Sequence, residues 1–169
     1  TASTTVTLAL GDALAVAVLD TRGFRAEDFA RSHPGGALGR RLLTHVKDVM
    51  RSGDAVPAVT PDTPLTTALL EITKKGIAMT AVVDEQQRIL GVFTDGDLRR
   101  LMDGARDFSA IRIGDVMHRQ PRTIRAEKLA VEAVEMMETY RINQLLVSDE
   151  QGRLTGALHI HDLTRAKVI

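Results

Sequence analysis

The stretch from Phe29 to Arg41, FARSHPGGALGRR, contains a histidine whose surroundings suit acid–base chemistry. An imidazole with the ordinary pKa of about 6.5 can accept or donate a proton near neutral pH. Pro34 keeps His33 out of helical geometry, and Gly35 and Gly36 let backbone N–H groups approach an anion closely. The same sequence is also compatible with a corner between two parts of the chain, in which His33 is exposed to solvent and has no catalytic role. The residues alone therefore leave both interpretations open.

A second candidate site contains Thr94 and Asp97. A threonine followed three residues later by an acidic residue is typical of a helix N-terminus, where each side chain bonds the other's backbone N–H. The positive end of a helix also attracts anions. The same pair could thus accept the two hydroxyls of a ribose at Asp97 and hold a phosphate near Thr94. Helix capping and ligand binding are compatible.

The segment His159–Asp162 is the counterpart of this site in a second copy. The spacing of His159 and His161 is only a weak indication of a metal pair, and we predict no metal site. A better interpretation places His159 where Thr94 stands and Asp162 where Asp97 stands. The loss of threonine from this copy predicts one ligand per chain, or two unlike ligands.

The chain from residue 46 onward repeats itself, which is the strongest signal in the sequence. Asp48-Val49-Met50 recurs 67 residues later as Asp115-Val116-Met117. At an offset of 65, Asp84, Arg88, Gly91 and Asp97 coincide with Asp149, Arg153, Gly156 and Asp162. So many coincidences at one offset indicate a duplicated unit.

Each copy has the pattern β-α-β-β-α. The pattern predicts an extended segment (57–59; 123–124), a helix (65–75; 129–140), two strands (79–83 and 89–94; 144–147 and 154–159) and a closing helix from Asp97 or Asp162. Asp62 or Thr63 is predicted to cap the first helix. Neither copy has enough apolar faces to close a core, so the two are expected to pack through their sheets.

Composition excludes several classes of function. Lys plus Arg and Asp plus Glu both number 22, which leaves no basic stripe for nucleic acid. The absence of cysteine excludes disulfides and thiolate metal sites. No apolar run reaches the roughly 18 residues that span a bilayer, and the first residues lack a signal-peptide pattern. We expect a cytoplasmic protein that begins inside a longer chain and that binds neither nucleic acid nor membrane.

The repeated unit resembles the CBS domain, and the tandem resembles a CBS pair, or Bateman module. The resemblance is carried by the two Asp-Val-Met starts and by the segment GVFTDGDL at 91–98, which corresponds to GALHIHDL at 156–163 in the second copy. It covers about residues 45–169 and implies an α+β fold with domains at 45–108 and 109–169. It also implies a nucleotide-binding cleft. For Met79 and Asn143, packing at the sheet edge is the alternative to contact with a ligand. With one tyrosine and four phenylalanines, the chain is poorly supplied for stacking a base. The ligand-binding candidates are Thr94, Asp97, His159, Asp162, Met79, Asn143, Val59 and Asp62.

Residues 1–44 carry a second resemblance. An apolar helix at about 5–20 and the motif around His33 are similar to the end of the sugar-isomerase (SIS) domain of D-arabinose-5-phosphate isomerases. That family interconverts D-ribulose 5-phosphate and D-arabinose 5-phosphate, a step towards Kdo of the Gram-negative envelope. The resemblance implies that His33 is catalytic in the intact enzyme. It places the sugar-phosphate loop and the catalytic Lys and Glu residues ahead of Thr1.

Together these expectations describe the regulatory CBS pair of such an isomerase, inactive as a fragment and without a cofactor. The expected effector is a nucleotide or nucleotide-sugar; CMP-Kdo, the activated end-product, and adenine nucleotides are the rivals. Homo-oligomers through the CBS and SIS domains are expected. The alternative is a CBS pair that binds no small molecule and only joins subunits.

Overall fold

The computed structural model describes residues 1–25, 28, 43–103 and 107–169. The chain divides into two units, Thr1–Leu43 and Thr44–Ile169. His33, the candidate catalytic residue, lies outside the described residues. The candidates for ligand binding all belong to the second unit.

The described part of the first unit is a 20-residue helix, α1 (Ala2–Thr21). Its apolar side chains point in all directions around the axis, and none of its residues is buried. With a mean hydropathy of 1.7 over an 18-residue window, α1 is long and apolar enough to cross a membrane by length and composition only. The expectation that no segment meets this criterion was therefore wrong. Core helices of soluble proteins meet the same criterion, so this observation does not establish a membrane span.

The second unit contains two copies of the predicted β-α-β-β-α pattern, which the structure confirms. A short helix precedes each copy: α2 (Val46–Val49) and α5 (Ile113–Val116). The first copy contains β1 (Ala58–Val59), α3 (Leu65–Lys75), β2 (Met79–Val83), β3 (Ile89–Thr94) and α4 (Asp95–Met102). The second contains β4 (Thr123–Arg125), α6 (Ala130–Tyr140), β5 (Gln144–Ser148), β6 (Leu154–His159) and α7 (Ile160–Arg165). Short 3-10 helices lie at Gly53–Ala55 and Phe108–Ala110.

Each copy forms a three-stranded mixed sheet with its third strand antiparallel to the second. In the first sheet β1 runs parallel to β2, and β2 pairs with β3 so that Met79 stands opposite Thr94. The second sheet repeats this register, with Gln144 opposite His159. The start of one strand therefore lies beside the end of the next, where the closing helix begins.

The closing helices begin two residues earlier than the sequence predicted. Thr94 and His159 are the N-caps of α4 and α7, and Asp97 and Asp162 stand three residues on, inside the first turn. The capping prediction for Thr94 and Asp97 is confirmed. The prediction that Asp62 or Thr63 caps α3 was wrong, because Pro64 is the N-cap residue and no side chain bonds the helix there.

The segments that precede the two copies cross over. Val46 of α2 belongs to the apolar core of the second copy, and its N–H bonds the carbonyl of Lys128 at 2.8 Å. Ile113 of α5 belongs to the core of the first copy. Each copy is therefore completed by a helix that precedes the other one in the chain.

The same crossing brings Arg51 and His118 against opposite sheets. The backbone of Arg51 bonds Ala157 of β6, and the backbone of His118 bonds Val92 of β3. At each contact the two backbones lie so close that the position on the strand has no room for a side chain, and a glycine occupies it. A Cβ at Gly91 would lie 2.8 Å from the His118 carbonyl oxygen, as one at Gly156 would from that of Arg51.

A third apolar cluster joins the copies. Met79 and Ala81 from the first sheet pack in one buried cluster with Leu146 and Ala157 from the second. This confirms the expectation that the two copies pack through their sheets. The shared layer makes the second unit a single folded body with clefts along the line where the copies meet.

Candidate functional site

The larger cleft, which we call the first cleft, lies between the two copies and has a volume of about 660 Å³. Met79, Thr94 and Asp97 line it from the first copy. Ile142 and Gln144 line it from the second, where α6 ends and β5 begins. Three of the predicted ligand-binding residues are thus brought together, because Met79 and Thr94 are paired across the sheet.

The carboxylate of Asp97 is held in a fixed position at the start of α4. Its Oδ2 accepts hydrogen bonds from the Thr94 backbone N–H at 2.9 Å and from the Thr94 hydroxyl at 2.7 Å. Its Oδ1 accepts only from Arg100 among the described residues, at 2.6 Å. The Arg100 side chain is 74% exposed, whereas that of Asp97 is 18% exposed. A ligand hydroxyl could therefore replace a solvent-exposed partner at Oδ1.

Arginine and aromatic side chains also line the first cleft. Arg100, Arg122 and His118 line the first cleft, as does Tyr140, the single tyrosine of the chain. The Arg122 guanidinium lies 4.0 Å from the centroid of the Tyr140 ring. Guanidinium groups bind phosphates and carboxylates, and an aromatic face can stack on a base or sugar. The single tyrosine that the sequence supplies for stacking therefore lies in this cleft, with Arg122 over its ring.

A smaller second cleft, of about 340 Å³, is the internal counterpart of the first. Its lining includes Arg51, Ile77, His159 and His161. Here the guanidinium of Arg51 bonds both carboxylate oxygens of Asp162, at 3.2 and 3.3 Å, and donates to the Lys75 carbonyl at 2.8 Å. The second cleft therefore differs from the first, because Arg51 lines it while Asp162, to which Arg51 is bonded, does not.

The other predicted residues lie elsewhere. Asn143 is exposed between Ile142 and Gln144, and its carbonyl accepts from the Ile160 N–H at 2.9 Å. Val59 packs against the core of the first copy. Asp62 is exposed, and its backbone carbonyl accepts from Arg112 at 2.8 Å. None of these three lines either cleft.

Four residues that line the clefts were not predicted from the sequence: Arg51, His118, Arg122 and Tyr140. A signal for the first two was available, since each directly follows an Asp-Val-Met start. Equivalent positions in two copies of a repeat occupy equivalent places in the fold. Arg122 and Tyr140 have no such signal, because a helix end and a linker approach each other only in the folded chain.

His159 is the titratable group of the second cleft with a shifted pKa. Burial lowers the pKa of His159, and the charges of His161 and Arg51 lower it further, against the opposing effect of Asp162. The imidazole is therefore neutral at pH 7, and its Nδ1 accepts from the His161 backbone N–H at 3.1 Å. Within the described ranges, no group of three or more His, Cys, Asp or Glu side chains is arranged to hold a metal ion.

This shift predicts a dependence of stability on pH. A histidine of the unfolded chain, with the ordinary pKa near 6.5, takes up a proton at a higher pH than His159 does in the folded chain. The free energy of unfolding is therefore expected to fall as the pH drops below about 6.5. The variant His159→Gln should lose part of this slope in urea unfolding between pH 7.5 and 5.5. The exposed control His118→Gln should keep it; equal slopes for wild type and His159→Gln would contradict the prediction.

Comparison with known proteins identifies the fold. The family model described as "CBS domain" matches residues 46–104 and 113–169. The chain belongs to the CBS domain family. Its two CBS domains form the pair whose shared line of contact contains both clefts.

Curated relatives match the entire chain. One from Pseudomonas aeruginosa strain PAO1 is 56% identical over 169 residues and is named arabinose 5-phosphate isomerase KdsD. A relative of the same name from Escherichia coli K12 is 51% identical. The match covers 100% of this chain but 52% and 51% of those proteins. The chain spans about half the length of the curated relatives it matches.

Solved CBS structures show the same fold. CBSX2, solved in complex with AMP, has a TM-score of 0.62 and 25% identity, covering 73% of this chain and 95% of that one. ATU1752 from Agrobacterium tumefaciens, a CBS-domain protein, has a TM-score of 0.65 and 25% identity over 73% of this chain and 93% of that one. The shared part corresponds in extent to the CBS pair.

Proposed function

We propose that this chain is the regulatory CBS pair of an arabinose 5-phosphate isomerase and that it binds a nucleotide or nucleotide-sugar in the first cleft. The observation that carries the proposal is the Asp97 carboxylate, which lines a 660 Å³ cleft, is fixed by Thr94 on one oxygen and accepts from the exposed Arg100 on the other. The relation to CBSX2, whose structure contains AMP, supports nucleotide binding. The relation to proteins named arabinose 5-phosphate isomerase supports the parent activity.

In this proposal Asp97 binds the ribose. Its free acceptor sites receive the two vicinal hydroxyls, in place of Arg100. A carboxylate is suited to this because hydrogen bonds to charged acceptors are about twice as strong as neutral ones. Arg100, released from Asp97, and Arg122 then neutralise the anionic part of the ligand. Met79, Ile142 and the ring of Tyr140 supply apolar contact for the base or sugar.

The function of the pair would be to couple binding to the attached catalytic domain. A ligand that favours one arrangement of the two CBS domains biases whatever is joined to them, by no more than its difference in affinity for the two arrangements. We propose homo-oligomers in the cytoplasm as the setting. CMP-Kdo is the candidate effector, because its cytidine ribose suits Asp97 and its carboxylate suits His118 or an arginine of the first cleft.

Calorimetric titration of the 169-residue chain tests this proposal. CMP-Kdo, CMP, AMP and ATP should be titrated separately, and at least one should bind with a dissociation constant below millimolar. Tighter binding of CMP-Kdo than of CMP would support the feedback effector, and tighter binding of AMP or ATP would favour an energy-linked signal. If none of the four binds at millimolar concentration, the proposed ligand-sensing role is contradicted, and a CBS pair that only joins subunits is favoured.

The same proposal predicts that the 169-residue chain alone does not turn over either sugar phosphate. Aldose–ketose isomerisation moves a proton between adjacent carbons, which requires a base and a group that stabilises the enediolate. His33 is the one residue of the chain that the family resemblance assigns to this chemistry. A coupled assay with D-ribulose 5-phosphate or D-arabinose 5-phosphate should give the rate of a blank without protein. Measurable turnover would refute the assignment of the chain as a purely regulatory piece.

A further inference from the structure

The two clefts are equivalent by the internal repeat, yet their aspartates are bound differently. Arg51 and His118 occupy corresponding places, since one bridges Ala157 and the other Val92 at the middle of equivalent strands. His118 does not reach its aspartate: its Nε2 lies 3.1 Å from the Gln120 carbonyl oxygen. Arg51 is longer and does reach Asp162, with two nitrogens on two oxygens.

The partner of Asp162 is also much harder to displace than the partner of Asp97. The side chains of Arg51 and Asp162 are 26% and 11% exposed, whereas Arg100 is 74% exposed. Arg51 is held in addition by the carbonyl of Lys75 at the end of α3. A ligand that displaced Arg51 would leave a half-buried guanidinium short of its ion-pair partner, which is costly. One that displaced Arg100 would return it to water, at little cost.

The donor at the N-cap differs as well. In the first cleft the Thr94 hydroxyl donates to one oxygen of Asp97 and orients the carboxylate, while the other oxygen accepts from the exposed Arg100. In the second, the ring of His159 accepts from the His161 backbone and gives Asp162 no side-chain hydrogen bond among the described contacts. There the orientation of the carboxylate comes from the His159 N–H and from Arg51.

We infer that Arg51 is an internal ligand of the second cleft, which occupies Asp162 and limits the chain to one nucleotide, bound at Asp97. The inference rests on the proposed function of the first cleft and adds its stoichiometry and the residue that determines it. Arg51 takes the position at Asp162 that a diol takes at Asp97. Removing the guanidinium frees Oδ1 of Asp162, leaves Oδ2 bonded to the His159 N–H, and enlarges the smaller cleft.

The test is the number of AMP molecules bound per chain, with CMP titrated in a parallel series. The wild-type chain should bind one, and Arg51→Ala should bind two. Arg99→Ala, which removes an exposed arginine that lines neither cleft, should bind one. Adding Asp162→Asn to Arg51→Ala should restore a single site. A folded Arg51→Ala chain that still binds one molecule would overturn the inference.

A second measurement decides the matter if Arg51→Ala does not fold. Asp162→Asn in the otherwise wild-type chain should keep one site, with an affinity within about twofold of wild type, because this carboxylate does not touch the ligand. Loss of binding in that variant, or two nucleotides on the wild-type chain, would overturn the role of Arg51 while leaving nucleotide binding established. Absence of any binding to wild type would instead overturn the proposed function and this inference with it.

Discussion

Replacing Asp97 by asparagine is expected to weaken nucleotide binding by at least about 100-fold. A hydrogen bond to a charged group contributes about 1.5–3 kcal/mol, and the carboxylate is proposed to accept two from a vicinal diol. Their combined loss, about 3 kcal/mol or more, corresponds to two or more factors of ten in the dissociation constant. Asparagine keeps an oxygen that can accept from the Thr94 backbone, so the start of α4 should remain intact. Calorimetry with the tightest ligand of the four measures the effect.

Asp95→Asn is the matched control. Asp95 lies in the same first turn of α4 and is exposed, and it makes no bond to the Thr94 side chain in the described contacts. Both variants change the net charge by the same amount, so a general electrostatic effect on an anionic ligand would appear equally in both. Asp95→Asn should bind within about twofold of wild type. If Asp97→Asn bound as well as the control, the first cleft would not be the nucleotide site.

Replacing Ile113 by alanine is expected to lower the free energy of unfolding by about 3 kcal/mol. Ile113 is fully buried in the core of the first copy although it precedes β4, the first strand of the second copy. Truncating a buried isoleucine loses its transfer free energy and leaves a cavity, for about 2–5 kcal/mol in total. Urea unfolding followed by circular dichroism measures the change.

Ile169→Ala makes the same chemical change at a site that is 50% exposed. It should shift the free energy of unfolding by no more than about 0.5 kcal/mol. An equal effect of the two substitutions would mean that α5 does not complete the first core. The crossing of the two short helices would then be wrong, and with it the placement of Arg51 and His118 on opposite sheets.

Local elements were predictable from the sequence because their causes are local. The helix Leu65–Lys75 and the strand Met79–Val83 were predicted with the bounds that the structure has. Apolar periodicity and turn residues set such elements within about ten positions. The duplication made the prediction stronger, since each copy supported the interpretation of the other. The start of α4 was misplaced by two residues, because the cap, Thr94, is itself the last residue of a strand.

The composition of the clefts was only partly predictable. Thr94 and Asp97 stood out because a capping pair has a recognisable spacing in one short segment. Asn143 and Val59 were carried over from the CBS resemblance, and the structure places them outside both clefts. Tyr140 and Arg122 could not be found, because the end of α6 and the linker before β4 meet at the first cleft only once the second sheet has formed.

The sequence by itself determined the repeat, the order of its elements and the two aspartates that begin the closing helices, because each of these rests on residues close together in the chain. Tertiary structure alone decided which aspartate is open. Arg51 and Asp162 are separated by 111 positions, and no local pattern relates them. They meet because the helix ahead of the first copy packs against the second, and this crossing follows from which apolar surfaces bury each other.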